Sequence, residues 1–237
     1  MKKLLIVLLL CTMTLASSTP RVNSVGLVAH YKLQHGPMSS GKVFDYSLNN
    51  NQGTVTGAYA LYPGFYFDAT DDIINCSSGS TVDNIFTGGG TVAWWQRSDG
   101  RGESNLGFAI AKTKWSVYMI TDASTMRFYQ AFDGDDGAWS FTITSGVWQH
   151  VAVVYNNGAT TNNPVVYVNG ASVTATETGT PTGTFDSDAA ADLVIGNTAA
   201  TTNTWEGAIG EVMVFSITKT ASEIKSIYEL TRHQYQI

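Results

Sequence analysis

Charge is scarce in this 237-residue chain: Asp, Glu, Lys and Arg together make up 14% of it. That share is low for a cytosolic enzyme and suits a Thr-, Asn- and Gly-rich surface of the extracellular kind. Basic residues are scarcer still, thirteen against nineteen acidic ones, for a formal net charge of −6. They are scattered, so no stripe exists that would neutralise a phosphate backbone or hold an anionic membrane surface, and nucleic acid is not an expected partner. Cysteine is limited to Cys11 and Cys76. With Cys11 in a leader-like segment, Cys76 has no partner and no disulfide framework exists. Cys76 also lacks basic neighbours in sequence that would activate a thiol, and it reads as a small buried hydrophobe. Helical periodicity is missing until the C-terminus. The apolar run from Leu4 to Leu10 is too short to span a bilayer, which takes roughly 20 residues, so no membrane span is expected.

What is present is apolar and aromatic. Hydrophobic residues make up 43% and aromatics 11% of the chain, ample for a packed core. Residues 1–18 read as a signal peptide: Lys2-Lys3 supply a positive n-region, Leu4 to Leu10 the apolar run, and Thr14-Leu15-Ala16 or Ala16-Ser17-Ser18 a small-residue cleavage site. The expectation is a secreted or cell-surface protein. A retained segment would instead have to be buried against a neighbour, as in a virion, filament or cell-envelope homo-assembly.

Downstream, short apolar alternations separated by turn residues argue a β-sandwich. Leu27, Ala29, Tyr31 and Leu33 alternate with Val28, His30 and Lys32. Further strands are expected at 58–68, 91–97, 108–111, 116–121, 126–132, 138–143, 147–155, 165–168, 171–175, 192–195 and 208–217, with 174–184 either an edge strand or a long loop. Asn169-Gly170 tolerates positive φ at both centres of a two-residue type I′ turn, which predicts a hairpin. Thr220-Ala221-Ser222-Glu223 has the capping-box pattern, and Ile224, Ile227 and Tyr228 then recur at helical spacing, predicting a short C-terminal helix with one apolar side. One domain is expected over residues 25–235.

Several segments in order resemble the laminin G-like branch of the concanavalin A-like lectin/glucanase superfamily. Gly26 to Tyr31 followed by Phe44 to Gly53 is similar to its opening strand and Asp-x-Ser-x-Asn-x-x-x-Gly stretch. Phe67-Asp68-Ala69-Thr70-Asp71-Asp72-Ile73 resembles its Phe-Asp-Gly-x-Asp-Asp-aromatic segment, with Ala69 and Ile73 as departures. Trp148 to Tyr155, Val166 to Gly170, Ile195-Gly196 and Trp205 to Phe215 resemble its central strand, hairpin and closing strand. The resemblance implies an all-β, two-sheet antiparallel sandwich (jelly roll, concanavalin A-like) with a short C-terminal helix. It covers some 200 residues and speaks for fold more than for ligand. Family members commonly have Asp where this chain has Gly210, which leaves Glu211 to face solvent or pair with a neighbour.

Catalysis is the first function to weigh, because the superfamily includes glucanases with a Glu-x-Asp-x-x-Glu cluster. Retaining glycoside cleavage needs two carboxyls about 5–5.5 Å apart. No Glu here has an acidic residue two positions away on a credible strand, and no Ser or Cys sits in a strand-turn-helix elbow. His150 on its strand reads as structural, and His30 and His35 as surface residues without partners at ligand spacing. Calcium is the cofactor to expect, since it takes six to eight oxygens from carboxylates, amides and carbonyls on loops. Its candidate ligands are Asp133, Asp135 and Asp136 on one turn and Asp45 beside an Asn-rich stretch. The plainer alternative is that these are good turn residues. For a sugar, an aromatic face under the ring is needed, and Trp139, Trp115 and Trp205 adjoin polar or Gly-rich loops, so that one of them is a candidate for that face; the plainer alternative is that all three are core. Trp94, Trp95 and Trp148 lie within strands and are assigned to the core. The leading expectation is a secreted, non-catalytic carbohydrate- or glycoprotein-binding module, with a structural surface protein second and a degenerate glucanase third.

Overall fold

A strand that alternates apolar and polar residues can keep one face in water, whereas one that is apolar throughout must be covered on both. This protein builds one sheet of each kind. The computed structural model describes residues 22–38 and 40–235; the signal-like segment 1–18 lies outside the described residues. The strands in chain order are β1 (Leu27–Tyr31), β2 (Lys42–Val43), β3 (Gly53–Thr56), β4 (Tyr59–Leu61), β5 (Gly64–Asp68), β6 (Ile73–Asn75), β7 (Gly90–Ser98), β8 (Phe108–Lys112), β9 (Trp115–Met119), β10 (Thr125–Gln130), β11 (Gly137–Thr142), β12 (Gln149–Tyr155), β13 (Val165–Val168), β14 (Ala171–Val173), β15 (Thr176–Gly179), β16 (Val194–Ile195) and β17 (Glu206–Phe215). Helix α1 (Ala221–Thr231) follows.

Eight strands form one antiparallel sheet in the order β14-β13-β12-β7-β17-β5-β4, with β1 also paired to β17. Nine form the other, in the order β15-β11-β10-β9-β8-β16-β6-β3-β2. In the first sheet β7, β12 and β17 are buried along almost their whole length. Their outer face is covered by α1, whose Ile224 and Ile227 pack on Ala93, Ala152, Met213 and Phe215. The helix starts where its sequence directs: Thr220 Oγ1 accepts from the Glu223 N–H while the Glu223 carboxylate accepts from the Thr220 N–H. The nine-stranded sheet differs. In β10 buried and half-buried residues alternate strictly, so the outer face of that strand is partly exposed.

Between the sheets lies a core rich in aromatics, including Phe67, Phe86, Trp94, Trp115, Phe128, Trp139, Tyr155 and Trp205. The Asn169-Gly170 turn takes φ of 51° and 74° between β13 and β14, the type I′ geometry expected of that dipeptide. Two expectations are refined. The run 58–68 is two strands, because Tyr62-Pro63 turns the chain between β4 and β5. The Thr-rich 174–184 segment contributes a true edge strand, β15, paired to β11.

Candidate functional site

The three tryptophans expected to offer a stacking face do not. Trp115 and Trp139 share the inward faces of β9 and β11 with Val117, Met119 and Phe141, and Trp205 precedes β17; all are at most 1% exposed. Trp139 stacks near Phe128 at 5.9 Å between ring centroids and donates its indole N–H to Asn163 Oδ1 at 2.6 Å. Trp115 meets Phe86 edge-on at 5.3 Å. Proximity to a loop says nothing about which side of a strand a residue occupies, and strand parity put these rings inside. Trp148, assigned to the core, is instead half-buried against Tyr235.

The acidic candidates are held by the protein's own donors. Asp133 Oδ1 accepts from the Thr184 N–H, Asp136 accepts from the Phe132 N–H and the Tyr129 hydroxyl, and Asp135 Oδ2 accepts from Thr182 Oγ1. Asp45 is buried, taking the N–H groups of His30 and Ser47 on one oxygen and that of Asn51 on the other. These are the contacts of turn-forming carboxylates. Among the described residues the acids that converge are Asp68, Asp71 and Asp72, each with a ligand atom within 4.8 Å of the others; here too Asp68 Oδ1 accepts from the Thr70 N–H and Asp72 Oδ2 from the Asp68 N–H. Burial, and the neighbouring Asp68 and Asp71 charges after it, hold the Asp72 carboxyl above its ordinary range. Like charges crowded in this way fit a hard cation.

Buried polar groups elsewhere serve the fold. His150 lies edge-on to Trp95 at 5.4 Å, and burial lowers its imidazole to about 3, so it is neutral, as suits a structural role. Burial pushes the Cys76 thiol up to about 12, an unreactive state. His30 is not a surface residue: its Nε2 lies 2.6 Å from Glu211 Oε1, and both are buried. The family's Asp position explains itself at Gly210, where an added Cβ would lie 2.4 Å from the Tyr235 hydroxyl, which accepts from the Glu211 N–H. C-terminal Tyr235 occupies the space a side chain would need.

A place that can receive a ligand lies on the outer face of the nine-stranded sheet. A cavity of about 450 Å³ lies there, lined among others by Phe108, Ser116, Tyr118, Tyr129, Asp192 and Thr198. Parity builds it: with Trp115 and Val117 inward, Ser116 and Tyr118 of β9 point outward, as do Arg127 and Tyr129 of β10. Cross-strand register then sets two rows side by side. One runs Ser140, Arg127, Tyr118, Phe108; the other runs Ala138, Tyr129, Ser116, Ala111. Phe108 and Tyr118 stack at 4.5 Å with 9° between their planes, a half-buried aromatic pair on this face. Lys112 adds only its stem, since its ammonium is buried against the Val82 carbonyl, Asp83 and Asp188. None of these face residues was singled out from sequence. The available signal was outward-facing aromatics at alternate positions of strands already predicted.

Residues 68–225 match the model of a laminin G-like family described as the concanavalin A-like lectin/glucanases superfamily. In structure the chain is similar to the binding domain of Paraclostridial Mosquitocidal Protein 1, with a TM-score of 0.60 and 12% identity over 86% of this chain and 52% of that one. It is similar to the binding domain of botulinum neurotoxin DC in complex with SialylT, at a TM-score of 0.58 and 12% identity over 86% of this chain and 51% of that one. A Trypanosoma rangeli sialidase in complex with 2,3-difluorosialic acid gives a TM-score of 0.63 and 12% identity over 87% of this chain and 33% of that one. The chain thus spans about half the length of the first two and a third of the last, and at such identities the likeness is one of fold. No curated protein matches the chain in sequence.

Proposed function

The chain belongs to the laminin G-like family of the concanavalin A-like lectin/glucanase superfamily, and from that membership we propose that it is a non-catalytic carbohydrate-binding module whose site is the outer face of the nine-stranded sheet. One observation carries the reading: the stacked, near-parallel Phe108–Tyr118 pair lines a cavity together with the polar side chains of Ser116, Tyr129, Asp192 and Thr198. Ligand sites of this size are mostly apolar walls with a few placed polar groups. A sugar offers apolar C–H faces to the rings and hydroxyls to the rim. The partner is a free glycan or the glycan of a glycoprotein. Binding domains among the structural neighbours, one of them in complex with SialylT, support this.

The non-catalytic part rests on chemistry. Glycoside cleavage uses an acid and a second carboxylate flanking the bond, and among the described residues Asp192 is the one carboxylate lining the cavity. A glycan array should therefore give ligands, and no reducing ends should appear when the protein meets β-glucans. Tyr118→Ala should weaken binding about tenfold or more, which is 1.4 kcal/mol, at a stability cost of about 1 kcal/mol. Unchanged binding by this variant would move the site elsewhere.

Two further parts of the proposal have their own tests. We take calcium to be a stabilising ion, and Asp68, Asp71 and Asp72 are the residues that would hold it. A ligand at a hundredfold excess over Kd adds about 2.7 kcal/mol, so millimolar calcium should raise the melting temperature, chelator should reverse this, and Asp71→Asn should abolish it. No shift in the wild type would leave this stretch an ordinary turn. We also propose export: intact mass of the exported protein should give a start between Thr14 and Val22, and a start at Met1 would defeat that. Assembly into a surface structure is the second reading, favoured by edge strand β4, where Tyr59, Leu61 and the following Tyr62 are 52%, 42% and 69% exposed. Among the described residues no helix is long and apolar enough to cross a membrane.

A further inference from the structure

We propose that the glycan received on this face is an acidic one, and that Arg127 takes its carboxylate. The inference rests on reading the outer sheet face as the ligand site and names the class of ligand. Arg127 stands in the row that ends at Phe108, directly opposite Tyr118 on one side and Ser140 on the other. Facing residues in antiparallel strands have Cα atoms only about 4.5–5.5 Å apart, so Arg127 leaves the same sheet face beside Tyr118, next to the cavity and outside its lining. Its Nε is buried without a partner, and so is Ser140 Oγ next to it. Among the described residues the arginines in ion pairs are Arg97, with Asp99, and Arg232, with Glu229; Arg101 donates to the Ile120 carbonyl. Arg127 alone of the four has neither an ion pair nor a hydrogen bond to a described residue.

A half-buried guanidinium with uncommitted donors is unfavourable unless something meets it. The planar fork is matched in geometry and charge by a carboxylate, which can accept two of its N–H groups at once. The acids around the face are no substitute, because their oxygens are already engaged: Asp136 by Phe132 N–H and Tyr129, Asp192 by Asn75, and Asp186 by Lys114. Their charge also limits the ligand. A densely sulfated polyanion would meet Asp136, Asp192 and a chain of net charge −6, whereas a single carboxylate on an otherwise neutral sugar need meet only Arg127. The geometry therefore selects a saccharide with an isolated carboxyl group, of which uronic and nonulosonic acids are the two common kinds.

The test is an array of uronate-bearing and nonulosonate-bearing oligosaccharides, each beside its carboxyl-reduced counterpart, with neutral glycans and heparin alongside. Wild-type protein, Arg127→Gln, Arg127→Lys and Tyr118→Ala are compared. The expected result is binding to one acidic class, weakened at least tenfold by carboxyl reduction and by Arg127→Gln. Arg127→Lys should recover part of it, since a point charge lacks the fork, and the melting temperature of Arg127→Gln should stay close to wild type. Equal binding of acidic and reduced members, with Tyr118 still required, would overturn the role of Arg127 and keep the site. Tightest binding to heparin would overturn the preference for an isolated carboxylate. Binding to no glycan at all would bring down both this inference and the site on which it rests.

Discussion

Trp139→Ala is expected to lower the stability of the protein by about 3 to 5 kcal/mol, the range for emptying a large aromatic from a core. In a protein of this size that corresponds to a fall in melting temperature of roughly 6 to 20 °C. The indole is fully buried between Phe128 and Tyr155, and its ring covers Gly137 so closely that a Cβ there would lie 2.4 Å from it. Truncation removes dispersion contacts on both faces and leaves the Asn163 carbonyl oxygen without its donor. Trp139→Phe should keep most of the packing and lose about 1 to 2 kcal/mol, from the lost hydrogen bond and the smaller ring. Thermal or urea unfolding decides the matter. A fully stable Trp139→Ala protein with weakened glycan binding would return this residue to the ligand site.

Asp45→Ala should cost about 3 to 5 kcal/mol, on the scale of removing one partner from a buried charged contact. One carboxylate joins three backbone N–H groups, those of His30, Ser47 and Asn51, and so ties β1 to the loop that leads into β3. Truncation strands those donors next to the core, where water reaches them poorly. The Tyr31 hydroxyl, which donates to the Asn51 carbonyl at 2.6 Å, would be disturbed with them. The loss should be the same with calcium or with chelator. A stability loss seen only in calcium would instead make Asp45 a metal ligand.

These two residues also show how far the sequence could be read. The sandwich, the Asn169-Gly170 hairpin and the capped C-terminal helix follow from local chemistry: alternation, a turn dipeptide and a capping box each act within a few residues. The assignment of a site fails where it depends on which face of a strand looks outward and which carboxylates meet in space. Trp139 and Tyr118 are both aromatic residues on short strands, and only the register across β9, β10 and β11 turns one inward and the other outward. Likewise Asp133, Asp135 and Asp136 are close in sequence yet are spent on separate donors. Asp68, Asp71 and Asp72 converge because the chain bends after β5. His30 and Glu211 are 181 residues apart, and nothing local announces their contact.

The measurement that bears most directly on the proposed site is backbone and side-chain NMR shift mapping with the tightest glycan from the array. The largest perturbations are expected on Phe108, Ser116, Tyr118, Arg127 and Tyr129, which share one sheet face, with Trp115 and Trp139 on the opposite side of the same sheet much less affected. Perturbations gathered instead on the Asp68 to Asp72 turn, on edge strand β4 or on helix α1 would contradict it.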